Sequence, residues 1–388
     1  MGNNFKMVAK TMHSFEPLLA KELKDLGAMD VQEGVRNVSF VGDTGFMYKA
    51  NLCLRTAIKI LKPIKSFRIK NEKELYDAVY QMPWHLYMRH DQSLSIDATV
   101  HSDYFKHSKF IALKTKDAIV DKFRNTEGRR PSVDLKHPDL RINVHIQYSE
   151  CTISLDSSGQ SLHQRGYRTA TNIAPINEVL AAGMLLLSGW DGQCDFLDPM
   201  CGSGTIPIEA AMIACNIPAN INRPEFAFEK WEDYDMDLFE KIMESSLKKT
   251  REFHHKIVGY DKAPSAFRKA KDNVRNANLS EYITLENKNF FETKKEDEDS
   301  KLHMVFNPPY GERLDIDMES FYGDIGTTLK HGYPNTNAWM ITSNMEALKQ
   351  VGLRPSRKIK LFNGKLESRL VKYEMYAGSK KAKKNQIT

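Results

Sequence analysis
The segment Asp195–Ala211, DFLDPMCGSGTIPIEAA, decides the reading of this 388-residue chain. A short apolar strand ends at Asp198, a turn follows over Gly202-Ser203-Gly204, and a helix begins near Ile206. The N–H groups that open such a helix lack intrahelical partners and carry partial positive charge. A strand–turn–helix unit of this kind therefore favours an anionic or polar ligand. Glycines in the turn let the backbone approach that ligand and take positive φ. Several loops of this type are excluded. A triphosphate-binding loop needs a Lys after its second glycine, and none follows here. A dinucleotide fingerprint needs a third glycine where Pro207 stands, and an acid about 20 residues on. The acid that ends the next strand, Asp261 in IVGYD, lies 59 residues beyond Gly202. A plain strand–helix turn is the alternative that makes no use of a ligand.

Outward from this loop, residues 174–378 alternate short apolar strands with helices, the pattern of an α/β domain with a mostly parallel sheet. Strands are expected at Cys194–Leu197, Lys256–Tyr260, Ile283–Glu286, Met304–Phe306 and Ala338–Thr342, with helices at Ile206–Cys215, Pro264–Ala277 and Met318–Lys330. Asn363-Gly364, between Lys358–Phe362 and Arg369–Tyr376, predicts a closing hairpin. Residues 220–255 break the alternation and read as a helical insertion, and residues 379–388 as a disordered basic tail.

A second stretch, Met304–Arg313 (MVFNPPYGER), delivers Asn307-Pro308-Pro309-Tyr310 to the carboxyl end of a buried strand, where α/β sheets place ligands. Two prolines make the loop stiff and extended. One amide and one aromatic on a stiff loop suit a planar base with an exocyclic amine. The Asn307 side-chain oxygen and the Pro308 carbonyl can accept from the amine, and Tyr310 can stack on the base.

Residues 1–170 hold 26 Lys and Arg against 19 Asp and Glu, an excess of seven positive charges, and eight of the twelve histidines. Residues 171–388 hold 30 against 31. A basic module joined to a neutral one suggests a polyanion binder joined to something else. The basic part reads as two α+β units, at 1–65 and 66–156, followed by a connector at 157–173 that contains Arg165, Tyr167 and Arg168. Strands or hairpins are expected at Lys6–Met12, Val31–Val41, Ser93–Val100, Leu140–Tyr148 and Cys151–Leu155. Helices are expected at Pro17–Leu26, from Asp43 to Arg55, at Glu72–Tyr80 and at Lys109–Phe123. No run approaches the ~18 apolar residues of a membrane span, the N-terminus lacks the apolar core of a signal peptide, and five cysteines without a C-x-x-C pair argue against disulfides or zinc. The expectation is a cytoplasmic protein without a metal, with a monomer favoured.

The string D-P-x-C-G-S-G-T resembles motif I of the class I S-adenosylmethionine-dependent methyltransferases, and Asn-Pro-Pro-Tyr resembles motif IV of those that act on amino groups. Together, DPMCGSGTIPIEAA and NPPYGERL strongly resemble the THUMP-domain RNA methyltransferases that modify guanine N2 in ribosomal or transfer RNA. The connector SGQSLHQRGYR, the HPDLRINVHI segment and residues 1–65 resemble, in turn, that family's interdomain junction, its THUMP domain and its ferredoxin-like unit. The resemblance implies a Rossmann-like class I methyltransferase domain, with a mostly parallel seven-stranded sheet ending in an antiparallel hairpin, preceded by α+β ferredoxin-like and THUMP units. It implies S-adenosylmethionine as cofactor and S-adenosylhomocysteine as product. Asp198, Pro199, Met200, Cys201, Gly202, Ser203, Gly204 and Thr205 would wrap the methionine moiety, and Asp261 would hold the ribose hydroxyls. Asn289, standing where many relatives carry an acid, and Phe290 would meet the adenine, and Asn307 to Tyr310 the reacting amine. RNA would be bound by residues 1–156, with Lys106, Lys109, Lys114, Lys116, Lys122, Arg124, Arg129 and Arg130 as candidate contacts. Arg165, Tyr167 and Arg168 would face either RNA or the cofactor cleft. The whole-chain likeness to the bacterial large-subunit enzymes points to 23S rRNA.

Four readings compete. Pyrimidine C5 methylation needs a cysteine nucleophile after Pro or Thr, and neither dipeptide occurs. Methylation of adenine N6 or of transfer-RNA guanine would use the same motifs. Glutamine methylation fits the basic N-terminal module poorly. A non-catalytic RNA-binding assembly factor would have no need of an intact Asp198, Gly202, Gly204, Asp261 and Asn307.

Overall fold
A computed structural model describes residues 3–168, 175–309 and 317–376. Contacts divide the chain into two units. One comprises the residues up to Thr11, Leu19–Leu162 and Arg223–Ser245; the other Met12–Leu18, His163–Asn222 and the residues from Ser246 on.

The first unit is built on one eight-stranded sheet. Its strands are β1 (Phe5–Thr11), β2 (Met29–Gly34), β3 (Asn37–Gly42), β4 (Ala57–Arg68), β5 (Ser93–His101), β6 (Ser132–Val133), β7 (Leu140–Gln147) and β8 (Glu150–Asp156), in the order β2-β3-β1-β4-β8-β7-β5-β6. The alternation of LRINVHIQ puts Leu140, Ile142, Val144 and Ile146 on the buried face. Asp43 caps the Thr44–Cys53 helix by accepting from Phe46 N at 2.8 Å. The two N-terminal segments expected as separate units share β4, which runs through the 65/66 boundary and pairs with β1 on one side and β8 on the other. Pro63 falls at a register shift in β4, where the ladder does not need its missing N–H.

Residues 220–255 also differ from expectation. The middle of this segment, Arg223–Ser245, packs within the first unit. Phe226, Phe228, Trp231 and Phe239 lie in its core, with Phe228 stacked on Tyr48 at 4.4 Å and on Phe226 at 5.2 Å. Only Met236–Leu247 is α-helical; Ala227–Lys230 forms a 3-10 turn.

The second unit carries a seven-stranded sheet of β9 (Asp195–Asp198), β10 (Ile257–Tyr260), β11 (Ile283–Glu286), β12 (Leu302–Phe306), β13 (Thr336–Thr342), β14 (Arg357–Asn363) and β15 (Leu366–Met375), in the order β11-β10-β9-β12-β13-β15-β14. The first five strands are parallel, while β15 runs antiparallel to β13 and to β14. The mostly parallel sheet closing on an antiparallel hairpin is therefore present, but its turn is Gly364-Lys365 and not Asn363-Gly364: Asn363 still pairs with Leu366, and Gly364 takes φ 62°. No helix among the described residues is long and apolar enough to cross a membrane. The 379–388 segment lies outside the described residues.

Candidate active site
The chain runs β9, β10, β11 toward one edge of the second sheet and then returns to place β12 on the other side of β9. The order thus reverses between β9 and β12, and the carboxyl ends of strands at such a point open a crevice that binds ligands. Both motifs singled out in the sequence leave the sheet there. Asp198 ends β9 and Asn307 follows β12.

The glycine loop is tied to the neighbouring strand. Cys201 N donates to Tyr260 O at 2.8 Å, and Gly202 N donates to Asp261 Oδ2 at 2.9 Å. Asp261 Oδ1 accepts from Ala263 N at 2.8 Å, so both carboxylate oxygens are fixed by backbone while each keeps a second lone pair. Burial raises the Asp261 carboxyl, and these two N–H groups work against it. Asn273 Nδ2 holds Ser203 O at 2.9 Å. Gly204 sits at φ 82°, and a Cβ there would come 3.3 Å from Ala270 Cβ, so glycine serves both the conformation and the close helix approach. Cys201 is buried, and a Cβ at Gly259 would lie 3.2 Å from its Sγ. Burial pushes the Cys201 thiol far up, which suits packing rather than nucleophilic chemistry.

Two buried oxygens at this crevice have no hydrogen-bond partner among the described residues. They are Asp198 Oδ2 and Asn307 Oδ1. The other Asp198 oxygen accepts from Met200 N at 3.1 Å. Burial raises the Asp198 carboxyl well above the usual carboxylate range. Buried acceptors without donors are costly, and a ligand with donor groups is the natural partner for both. Pro308 is buried and Pro309 half-buried beside Asn307. Tyr310, with the Gly311-Glu312-Arg313 extension, lies outside the described residues.

Asn289 and Phe290 lie at the start of the short 3-10 turn after β11. Phe290 is buried in the core, 2% exposed, with Tyr333 at 5.5 Å and Phe306 at 6.2 Å, a core position and not the open one expected for stacking on an adenine. The half-buried Phe291 packs edge-on against Phe321. Asn289 caps a short turn: its Oδ1 accepts from Phe291 N at 3.3 Å and its Nδ2 donates to Glu292 Oε1 at 2.8 Å.

The connector residues are corrected most clearly. Arg165 and Tyr167 are fully buried, so neither is a surface contact for RNA. Arg165 Nε pairs with Glu209 Oε1 at 3.4 Å and its guanidinium donates to Asn220 Oδ1 at 3.1 Å. Tyr167 OH donates to the same Glu209 oxygen at 3.2 Å. Arg168 donates to Thr205 Oγ1 at 2.7 Å and to Ile176 O at 3.0 Å, and pairs with Glu178 Oε1 at 3.3 Å. Burial nevertheless raises the Glu178 carboxyl to about 7. The RGYR string thus clamps the Thr205–Ala214 helix, the helix that opens from the glycine loop. Glu209 and Glu178 were missed in the sequence. The signal for Glu209 was an acid inside the wholly apolar run IPIEAAMIA, which demands a buried cation. Of the surface cations, Lys106, Lys109, Arg129 and Arg130 are exposed.

Residues 165–372 match the family model described as the RMKL-like methyltransferase domain. The chain belongs to this methyltransferase family. Residues 69–156 match the THUMP domain and residues 6–61 the RlmL ferredoxin-like domain. Within the family, the chain is 37% identical over 381 residues to the ribosomal RNA large subunit methyltransferase K/L of Syntrophotalea carbinolica, covering 95% of this chain and 53% of that protein. A candidate RNA methyltransferase of Synechocystis sp. is 35% identical, with 95% and 96% covered. The chain thus spans about half the length of the K/L relative and nearly all of the Synechocystis one. A methyltransferase candidate crystallised with S-adenosylhomocysteine superposes with a TM-score of 0.85 at 29% identity, covering 98% of this chain and all of that one.

Proposed function
We propose that this chain transfers a methyl group from S-adenosylmethionine to the exocyclic N2 amine of a guanine in RNA, with 23S rRNA as the target. The observation that carries the proposal is the meeting, at the reversal of one sheet, of a fixed glycine loop, the Asp261 carboxylate and an Asn307 Oδ1 that has no partner among the described residues. The names of the K/L and Synechocystis relatives and the S-adenosylhomocysteine in the structural neighbour support it.

S-adenosylmethionine, when bound, supplies a methyl group already activated on a sulfonium. The protein's part is then binding, orientation and exclusion of water. Asp198, the loop from Pro199 to Thr205 and Asp261 hold the cofactor. Asp198 Oδ2 supplies an acceptor for its ammonium, and Asp261 keeps a lone pair on each oxygen for the ribose hydroxyls. Asn307 Oδ1 accepts a hydrogen bond from the guanine amine, with the Pro308 carbonyl as second acceptor. Two accepted N–H bonds turn the nitrogen lone pair away from the protein backbone and toward the donor. The buried Pro308 stiffens this platform and keeps water from it. Tyr310 stacks on the base in this reading.

Nucleoside mass spectrometry of ribosomal and transfer RNA from a strain lacking this chain tests the substrate. Loss of N2-methylguanosine from 23S rRNA alone supports the proposal. Its loss from transfer RNA moves the target, loss of N6-methyladenosine moves the reaction to adenine, and unchanged nucleosides leave the assembly-factor reading.

A further inference from the structure
One end of the first unit's sheet carries an arrangement that the catalytic reading does not use. The β7–β8 turn consists of Tyr148 and Ser149, between the paired residues Gln147 and Glu150. Tyr148 has φ 55°, a left-handed conformation that bulky side chains avoid. The other non-glycine residues with positive φ among the described residues are Ser, Asp, Arg and Asn, so Tyr148 is the one aromatic among them. Its ring gains little burial in return, being 69% exposed.

The loop after β5 ties a second exposed tyrosine to the same turn. Ser102 Oγ donates to Tyr148 O and accepts from Tyr104 N at 3.2 Å, so one hydroxyl joins the backbones of both tyrosines. Tyr148 N donates to His101 O at 2.7 Å, which fixes the turn on the same loop. Tyr104 is 56% exposed. On the other side, Ile69 N donates to Ser149 O at 2.8 Å and places the end of β4 against the turn. That end carries Arg68, Lys70 follows it by two residues, and the β5 loop carries Lys106. All three are exposed and have no ion-pair partner among the described residues. The acids nearby are Asp103 and Glu150, with Glu74 turned toward the Lys70 and Asn71 nitrogens.

We infer that Tyr104 and Tyr148 form a stacking platform for unpaired bases of the RNA substrate, with Arg68, Lys70 and Lys106 receiving the flanking phosphates. Exposed rings set beside exposed lysine and arginine side chains are the features by which proteins hold single-stranded nucleic acid, since every base offers a π-face and every link a charge. A strained, exposed tyrosine in a two-residue turn has no packing reason to be there. The inference rests on the RNA reading above and assigns it a surface.

The test is fluorescence anisotropy of the full chain with a short labelled single-stranded RNA and with a duplex of the same composition. Tyr148→Gly relieves the positive φ, so the fold is kept or strengthened. It is expected to weaken single-strand binding about tenfold, on the scale of one lost stack, and to leave duplex binding unchanged. Tyr148→Phe restores wild-type binding. Removing Lys70 lowers the salt dependence on single strands by about 0.7 in log–log slope. Equal single-strand affinity of wild type and Tyr148→Gly, in a protein that still methylates RNA, overturns the platform alone. So does equal weakening of single-strand and duplex binding. A wild-type chain that binds neither RNA overturns the RNA reading itself.

Discussion
Asn307 has a buried side-chain oxygen with no donor among the described residues, at the end of a strand whose five residues are all buried. A ligand amine satisfies it; alanine removes it. Asn307→Ala is therefore expected to keep S-adenosylmethionine affinity within several-fold by calorimetry, while methyl transfer falls by orders of magnitude. Collapse of cofactor binding would show that Asn307 has been given the wrong role. Asp261 has the opposite profile. Its two oxygens hold Gly202 N and Ala263 N, and an amide can accept at only one of these positions. Asp261→Asn should raise the cofactor dissociation constant tenfold or more, as expected for loss of a charge-assisted hydrogen bond of about 1.5–3 kcal/mol. Affinity unchanged in that variant would detach Asp261 from the cofactor site. At this scale the glycine loop, Asp261 and Asn307 were legible from the sequence because local rules fix them: glycines at a strand–helix turn and an acid or amide at a strand end. Phe290 and Arg165 were not, since an aromatic or an arginine looks the same in a core as on a surface until its neighbours are known.

At the scale of elements, β12 carries the reacting loop and also a liability. His303 is buried in it beside Trp190 at 5.4 Å and Phe196 at 6.2 Å, with Ser188 Oγ at 2.8 Å from its Nε2. Burial lowers this imidazole to about 4, whereas an unfolded histidine protonates near 6.5. Between those values the unfolded chain binds the extra proton. Stability is thus lost as pH falls from about 6.5 toward 4. His303→Phe should flatten that part of the melting-temperature profile, since Ser188 Oγ keeps Leu185 O as a partner at 2.7 Å. An unchanged acid slope would clear His303 of the effect. Elements with a clean period were readable, and Glu72–Tyr80 and Ile283–Glu286 match residue for residue. Strand β4 was not expected at all. Pro63 and a bulge break its alternation, and its pairing with β1 and β8 is set by partners remote in sequence.

For the whole molecule, charge and chain order misled together. Arg223–Ser245 carries three basic and eight acidic residues and belongs by its contacts to the basic N-terminal unit. The excess of positive charge in the first 170 residues is therefore not a property of the unit as a body. A helix-rich insertion inside an α/β pattern gives no local sign of where its aromatic residues are buried. The consequence is testable. A fragment ending at Leu162 lacks Phe226, Phe228, Trp231 and Phe239, and loss of even one buried aromatic typically costs about 3–5 kcal/mol. Such a fragment should not melt cooperatively, and a fusion that restores residues 223–245 should recover the transition. A cooperative, soluble 1–162 fragment would refute this assignment of the core.

The central claim is that the crevice between β9 and β12 methylates guanine N2 in RNA. Its most direct test is transfer of labelled methyl from S-adenosylmethionine to 23S rRNA isolated from a strain lacking this chain, followed by nucleoside analysis. The account predicts N2-methylguanosine with the wild-type chain and none with Asn307→Ala. Label in N6-methyladenosine, or no transfer by a wild-type chain that binds the cofactor, would contradict it.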